Sequence, residues 1–276
     1  MDVASLPLYG GHGTAIRTWP GGAPGGEGRA LMIHCSMGHA GAWKGVAEAL
    51  TPTHECRAFD LPGHGRSAPW SGEGVYQDLV CDIIRDMIAE WEAPVDLVGH
   101  SFGATAALRI AAVSPELVRR LVLIEPVFFT AAYAADPDFE AANKARTGPL
   151  AEAQENGDWK EAARLFLADW GDGRPWDELD EAQKDHFATM MRLIHAVQIT
   201  NNGDPEGILA EGKIARMPAP TLLIDGGDSP EASGRIVRAL EGMIPDARSA
   251  TIAGAGHMVP ISHAAQVAPL VVDFLR

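Results

Sequence analysis

Five residues able to take part in nucleophilic or acid–base chemistry stand just after short apolar runs: Ser36, Ser101, Glu125, Asp228 and His257. Ser101 is the most informative. Leu97-Val98 runs into Gly99-His100-Ser101-Phe102-Gly103, and a helix-forming stretch follows from Ala104 to Ala112. A strand that ends in G-x-S-x-G and restarts as a helix puts one serine at the tip of a sharp bend. The two glycines are expected where a side chain would collide with the neighbouring strand or helix. The hydroxyl then stands clear, at the positive end of the following helix. That setting suits a nucleophile and points to a serine hydrolase. An ordinary Gly/Ser turn is the competing reading, and the flanking strand and helix weigh against it.

The elements that must hold these residues alternate. Thr14 to Trp19 reads as an edge strand, Pro20 to Gly28 as a turn, and Ala30 to Cys35 as a strand buried on both faces. A helix over Ala42 to Leu50 and a strand over Cys56 to Asp60 follow, then the tight polar loop Leu61 to Ser67. Gly74 to Trp91 carries apolar residues at helical spacing, Val95 to Val98 feeds Ser101, and Leu121 to Ile124 ends at Glu125. Strand signals resume at Pro220 to Ile224, followed by a helix (Ala232 to Glu241), a strand (Ala247 to Ile252) and a last helix (Ala264 to Leu275). Repeated strand–helix alternation predicts a mostly parallel central sheet flanked by helices on both faces, the α/β class. Ligands in such sheets bind beyond the carboxyl ends of the strands, where the five residues stand.

The stretch 127–216 breaks the alternation: it is acidic, Ala-rich and helical in period, and includes Trp159, Trp170 and Trp176. It reads as a helical insertion, leaving 1–126 and 217–276 as the core.

With 276 residues, one large domain with an insertion is expected. The formal net charge of −15 repels phosphate backbones and anionic lipids, so neither nucleic acid nor membrane is an expected partner; a small-molecule substrate is. Homo-oligomer formation stays open. Cys35, Cys56 and Cys81 match no metal spacing and read as free thiols of a reducing compartment. The stretch Met1 to Pro7 lacks the features of a signal peptide, which adds to a cytoplasmic expectation. His34 and His39 have no third ligand at plausible spacing, and no phosphate-binding glycine loop is found, so neither metal nor cofactor is expected.

Four stretches together resemble the α/β-hydrolase superfamily, over nearly the whole of Ala30 to Leu275. His34-Cys35-Ser36-Met37-Gly38, with Trp43 beyond, is similar to that family's His-Gly loop, with Cys35 in place of the usual glycine. Asp60-Leu61-Pro62-Gly63-His64-Gly65-Arg66-Ser67 resembles its D-x-x-G-x-G-x-S loop, Gly99 to Gly103 its nucleophile turn, and Gly256-His257-Met258-Val259-Pro260 the loop that presents its histidine. The resemblance implies Ser101 as nucleophile, His257 as base, and the backbone N–H groups of Ser36 and Phe102 as oxyanion donors.

It leaves two candidates for the carboxylate that orients His257. Most of the family places it as G-x-x-D, but here the loop reads Gly226-Gly227-Asp228-Ser229, so Asp228 comes one residue early and Ser229 stands in the usual place. Members of the haloalkane dehalogenase branch use an acid one strand earlier, where Glu125 stands. The balance tips slightly to Glu125. The insertion resembles the family's cap, with Phe128, Phe129, Met190, Met191, His195 and Ile199 as candidate pocket residues, beside Trp43. The implied reaction is hydrolysis of a small, mostly apolar ester. A carbon–carbon hydrolase or perhydrolase with the same residues, and a non-catalytic binder on the same fold, are the alternatives.

Overall fold

A computed structural model describes residues 5–22 and 28–276. Most of the turn expected over 20–28, and Met1 to Ala4, lie outside the described residues. In chain order the strands are β1 (Leu8–Tyr9), β2 (His12–Gly13), β3 (Ile16–Trp19), β4 (Gly28–Ile33), β5 (His54–Phe59), β6 (Val95–His100), β7 (Val118–Ile124), β8 (Thr221–Gly226) and β9 (Ala247–Ile252). The α-helices are α1 (Lys44–Leu50), α2 (Tyr76–Ala89), α3 (Phe102–Val113), α4 (Phe129–Ala135), α5 (Pro137–Glu155), α6 (Trp159–Trp170), α7 (Glu181–Asn201), α8 (Glu231–Met243), α9 (Val259–Ser262) and α10 (Ala264–Leu275).

β1 and β2 form a small ribbon; the other seven strands form one sheet in the order β3-β5-β4-β6-β7-β8-β9. β3 is antiparallel at one edge, and every other pairing is parallel. The expected α/β class and mostly parallel sheet are borne out.

The strands read as continuous apolar runs because both faces are covered. Leu31 and Ile33 of β4, and Leu121 and Leu123 of β7, enter the core beneath α2, α3 and α8. The alternate residues Ala30, Met32, Val122 and Ile124 enter the opposite core, against α1 and α10. The two-residue period of a strand produces this division.

Between β7 and β8 lie α4 to α7, and no strand occurs there among the described residues. Aspartates start three of these helices, α5, α6 and α7. The carboxylates of Asp136, Asp158 and Asp180 accept the backbone N–H groups of Phe139, Glu161 and Gln183, and Gln183 returns the bond in a capping box. Ala162, Ala163, Met191 and Ile194 form a separate apolar cluster within this segment.

At the turn between β6 and α3, a Cβ on Gly99 would overlap the backbone of Gly103 and Ala104, and one on Gly103 would overlap the carbonyls of Ile33 and His34. These are the collisions the sequence anticipates. Gly103→Ala is expected to lower stability by about 1–3 kcal/mol through overpacking against β4. A urea midpoint unchanged from the native protein would contradict that contact.

Candidate active site

Ser101 sits between β6 and α3 at φ 55° and ψ −121°, a region that non-glycine residues rarely enter. The amide of Ser101 is fixed by donation to Ile124 O at 2.9 Å. Phe102 is the first residue of α3, so its N–H has no intrahelical acceptor. Ser36 lines the same cavity from the loop after β4.

Facing Ser101 is His257, with Nε2 at 3.0 Å from Ser101 Oγ. Its Nδ1 lies 2.8 Å from Glu125 Oε2. Glu125 is fully buried and follows β7 with φ 52°. Oε1 accepts the Gly226 N–H and the Ser229 hydroxyl, and Oε2 accepts the Ser233 hydroxyl, each at 2.6 Å. Burial pushes the Glu125 carboxyl up, but the hydrogen bond and charge of His257 and the two serine hydroxyls outweigh it, leaving the group below the ordinary glutamate value. An ionised carboxylate only accepts, so Nδ1 carries the imidazole proton and Nε2 is free to accept from Ser101.

Asp228 is exposed, and its backbone N–H donates to Ala255 O at 2.9 Å in a turn. The partner of the His257 Nδ1 is therefore Glu125 rather than Asp228. Ser229, in the place where the family resemblance would put an acid, donates to that carboxylate instead.

A framework of neutral histidines shapes the loop carrying Ser36. His34 Nδ1–H donates to Cys35 O at 2.7 Å while Nε2 accepts the Leu61 N–H at 2.9 Å. His64 Nδ1–H donates to Pro62 O and Nε2 accepts the Met37 N–H, both at 3.0 Å. Each ring needs one bare nitrogen, and burial supplies that state, holding His34 well below its ordinary pKa and His64 at about 4. Cys35 is buried here with its thiol pushed up to about 12 by desolvation, a small packed residue rather than a reactive one.

His64 has a folded pKa below its unfolded one, so its contribution is complete above about pH 6.5 and declines as pH falls toward 4. The expected loss across that window is about 3 kcal/mol from this group. Urea unfolding between pH 7.5 and pH 4 measures it, and His64→Gln should flatten the slope.

Two further residues hold His257, and sequence reasoning did not single them out for this. His100, the second residue of G-x-S-x-G, donates Nε2–H to the His257 carbonyl at 2.9 Å; burial lowers its pKa to about 3, which keeps it neutral. Trp170 of α6 packs edge-on against the His257 ring at a centroid distance of 4.7 Å. Its only sequence signal was a tryptophan in an otherwise Ala-rich segment.

Ser101 and His257 open into a cavity of about 460 Å³ between the sheet rim and α4 to α7. Phe129 lines it as expected. Six other expectations need correction. Trp43 is packed into the core against α1 and α10, and Phe128 into the opposite core. Met190 is buried outside the lining, and His195 is exposed, edge-on to Trp159. Met191 is likewise buried in the helical segment's own cluster, and Ile199 is 59% exposed. The lining face of α7 is the one carrying Phe187, Ile194, Val197 and Asn201. Among the described residues, no three His, Cys, Asp or Glu side chains are grouped to hold a metal ion. No described helix is long and apolar enough to cross a membrane.

A mostly parallel sheet covered on both faces, with a serine, an imidazole and a buried carboxylate linked at its rim, defines a class of α/β proteins. The sequence narrows the class: residues 30–270 match the Alpha/beta hydrolase family, and the chain belongs to it. Lipase LipV of Mycobacterium tuberculosis is 38% identical over 103 residues, 37% of this chain and 39% of that protein. Polyketide synthase ThaQ of Burkholderia thailandensis is 30% identical over 288 aligned positions, covering 99% of this chain and 13% of ThaQ. The matches thus span about two fifths and one eighth of those relatives' lengths. An alpha/beta hydrolase from Sphaerobacter thermophilus shares the fold with a TM-score of 0.68 at 22% identity, covering 98% of this chain and 99% of that one.

Proposed function

We propose that this protein is a serine hydrolase that cleaves a small, mostly apolar carboxylic ester through an acyl-enzyme. The observation that carries the reading is the continuous chain from Ser101 Oγ through His257 to Glu125, at 3.0 and 2.8 Å, opening into the cavity. The resemblance of one matched region to a lipase agrees with it.

In this reading His257 Nε2 takes the Ser101 proton as Oγ attacks the ester carbonyl carbon. The N–H groups of Ser36 and Phe102 donate to the developing oxyanion, each lowering the barrier by about 3–4 kcal/mol. Collapse of the tetrahedral adduct breaks the ester C–O bond, and the imidazolium returns its proton to the departing alcohol. Water then attacks the acyl-serine with His257 again as base, releasing the acid. Glu125 holds the tautomer and stabilises the imidazolium. The segment 127–216 acts as a cap that keeps water from the acyl group and shapes the pocket.

The test is p-nitrophenyl butyrate. A burst of p-nitrophenol, an acyl mass increment on Ser101, and labelling of Ser101 by a fluorophosphonate are expected. Steady hydrolysis with Ser101 unlabelled would reject the mechanism, and absence of both would favour a binding protein.

A further inference from the structure

The cavity is apolar along much of its lining, and α7 shows where that changes. Phe187, Ile194 and Val197 line it, and one turn further on Asn201 does. Asn201 is 9% exposed, and its Oδ1 is buried without a hydrogen-bond partner. The orphaned buried side-chain atoms of His12, Trp43, Gln77, Trp91, Arg109 and Gln154 belong to residues that do not line the cavity. Among the described residues Asn201 alone combines the two properties. Its neighbour Gln198 also lines the cavity but donates Nε2–H to Gln154 Oε1 at 2.8 Å.

The position of Asn201 is anchored. Thr130 Oγ1 donates to Gly203 O at 3.0 Å, tying the end of α7 to the start of α4, beside the cavity residues Val127 and Phe129. A carboxamide oxygen and nitrogen exchange places by a half-turn, so the orphaned end serves as acceptor or donor. A hydroxyl or a secondary amide satisfies either arrangement; an alkyl chain satisfies neither. A charged group is not the better match. The cavity's cations Lys144, Arg146 and Arg174 have side chains 66%, 46% and 52% exposed and already pair with Glu140, Asp169 and Asp172.

We infer that Asn201 forms a hydrogen-bonding subsite for a neutral hydroxyl or amide group on the substrate chain, and so determines specificity within the cavity. The inference rests on the reading that this cavity is where Ser101 meets its substrate. Buried polar groups discriminate strongly against analogues that leave them unpaired.

The test compares two chains of equal length, N-acetyl-β-alanyl and hexanoyl, as p-nitrophenyl esters. Asn201→Leu is expected to reduce the amide-to-alkyl ratio of kcat/KM by about 10- to 100-fold, mostly through the KM of the amide ester. An unchanged ratio overturns the subsite. Asn201→Ala serves the same purpose if the leucine variant unfolds. Calorimetry of the two methyl esters with the Ser101→Ala protein reads the subsite without turnover. Equal loss of both ligands on adding Asn201→Leu overturns it. Retained discrimination in binding, with neither ester hydrolysed by the native protein, supports the subsite and rejects the hydrolase reading instead.

Discussion

Ser101→Ala is expected to lower kcat for p-nitrophenyl butyrate by about 10⁴- to 10⁶-fold, with KM within a few-fold of native. The turn at Ser101 does not depend on the hydroxyl. Its geometry comes from the Ser101 N–H on Ile124 O and from the close approach of Gly99 and Gly103 to their neighbours. A methyl group at position 101 therefore leaves the backbone in place and removes the one atom that would bond to the acyl carbon in the proposed mechanism. Residual activity above water should come from the oxyanion donors alone. Thermal unfolding close to native, with fluorophosphonate labelling abolished, completes the expected result. Turnover within tenfold of native would mean that another group attacks.

The second large effect separates two carboxylates. Glu125→Gln is expected to cost about 10³- to 10⁴-fold in kcat, and Asp228→Asn less than about threefold. At Glu125 the carboxylate accepts from His257, Gly226, Ser229 and Ser233. An amide places an N–H₂ among four donors, so it sets donor against donor and also loses the charge that, in the proposed mechanism, stabilises the imidazolium. A lower melting temperature should accompany the loss. Glu125 also carries a pH signature: its folded pKa is depressed, so its contribution to stability is present above the ordinary glutamate value and is lost as pH falls through the folded one. Glu125→Gln should remove that acidic limb from the unfolding curve, while Asp228→Asn keeps it. The reverse pattern in activity would return the orienting role to Asp228.

Much of the sheet was legible because strands buried on both faces read as apolar runs. The expected strand over Leu121 to Ile124 proved to be Val118–Ile124, and Ala264 to Leu275 is α10. The choice between Glu125 and Asp228 was open because it turns on contacts between positions about a hundred residues apart. Only the folded chain brings Gly226, Ser229 and Ser233 around the Glu125 carboxylate. The face of α7 was misread for a related reason. Helical spacing marks Met191, His195 and Ile199 as one side, but α7 has neighbours on more than one side, and spacing does not say which one borders the cavity. Nothing in the tight polar loop Leu61 to Ser67 marks His64, whose ring accepts the Met37 N–H beside Ser36. Trp43 and Phe128 follow functional loops yet pack into the cores, since large apolar rings near a strand end serve either place equally well.

Glu125 and the first cavity-lining residue of the helical segment, Val127, are two positions apart, and the Val127 N–H is held by Thr105 Oγ1 at 3.2 Å. Chimeric enzymes that trade this segment with a relative therefore have a restricted upstream splice point. A junction placed after Val127 lets a foreign roof be installed over intact machinery. A junction three residues earlier, ahead of Glu125, replaces that carboxylate together with the segment, and such a transplant is expected to alter selectivity and turnover together.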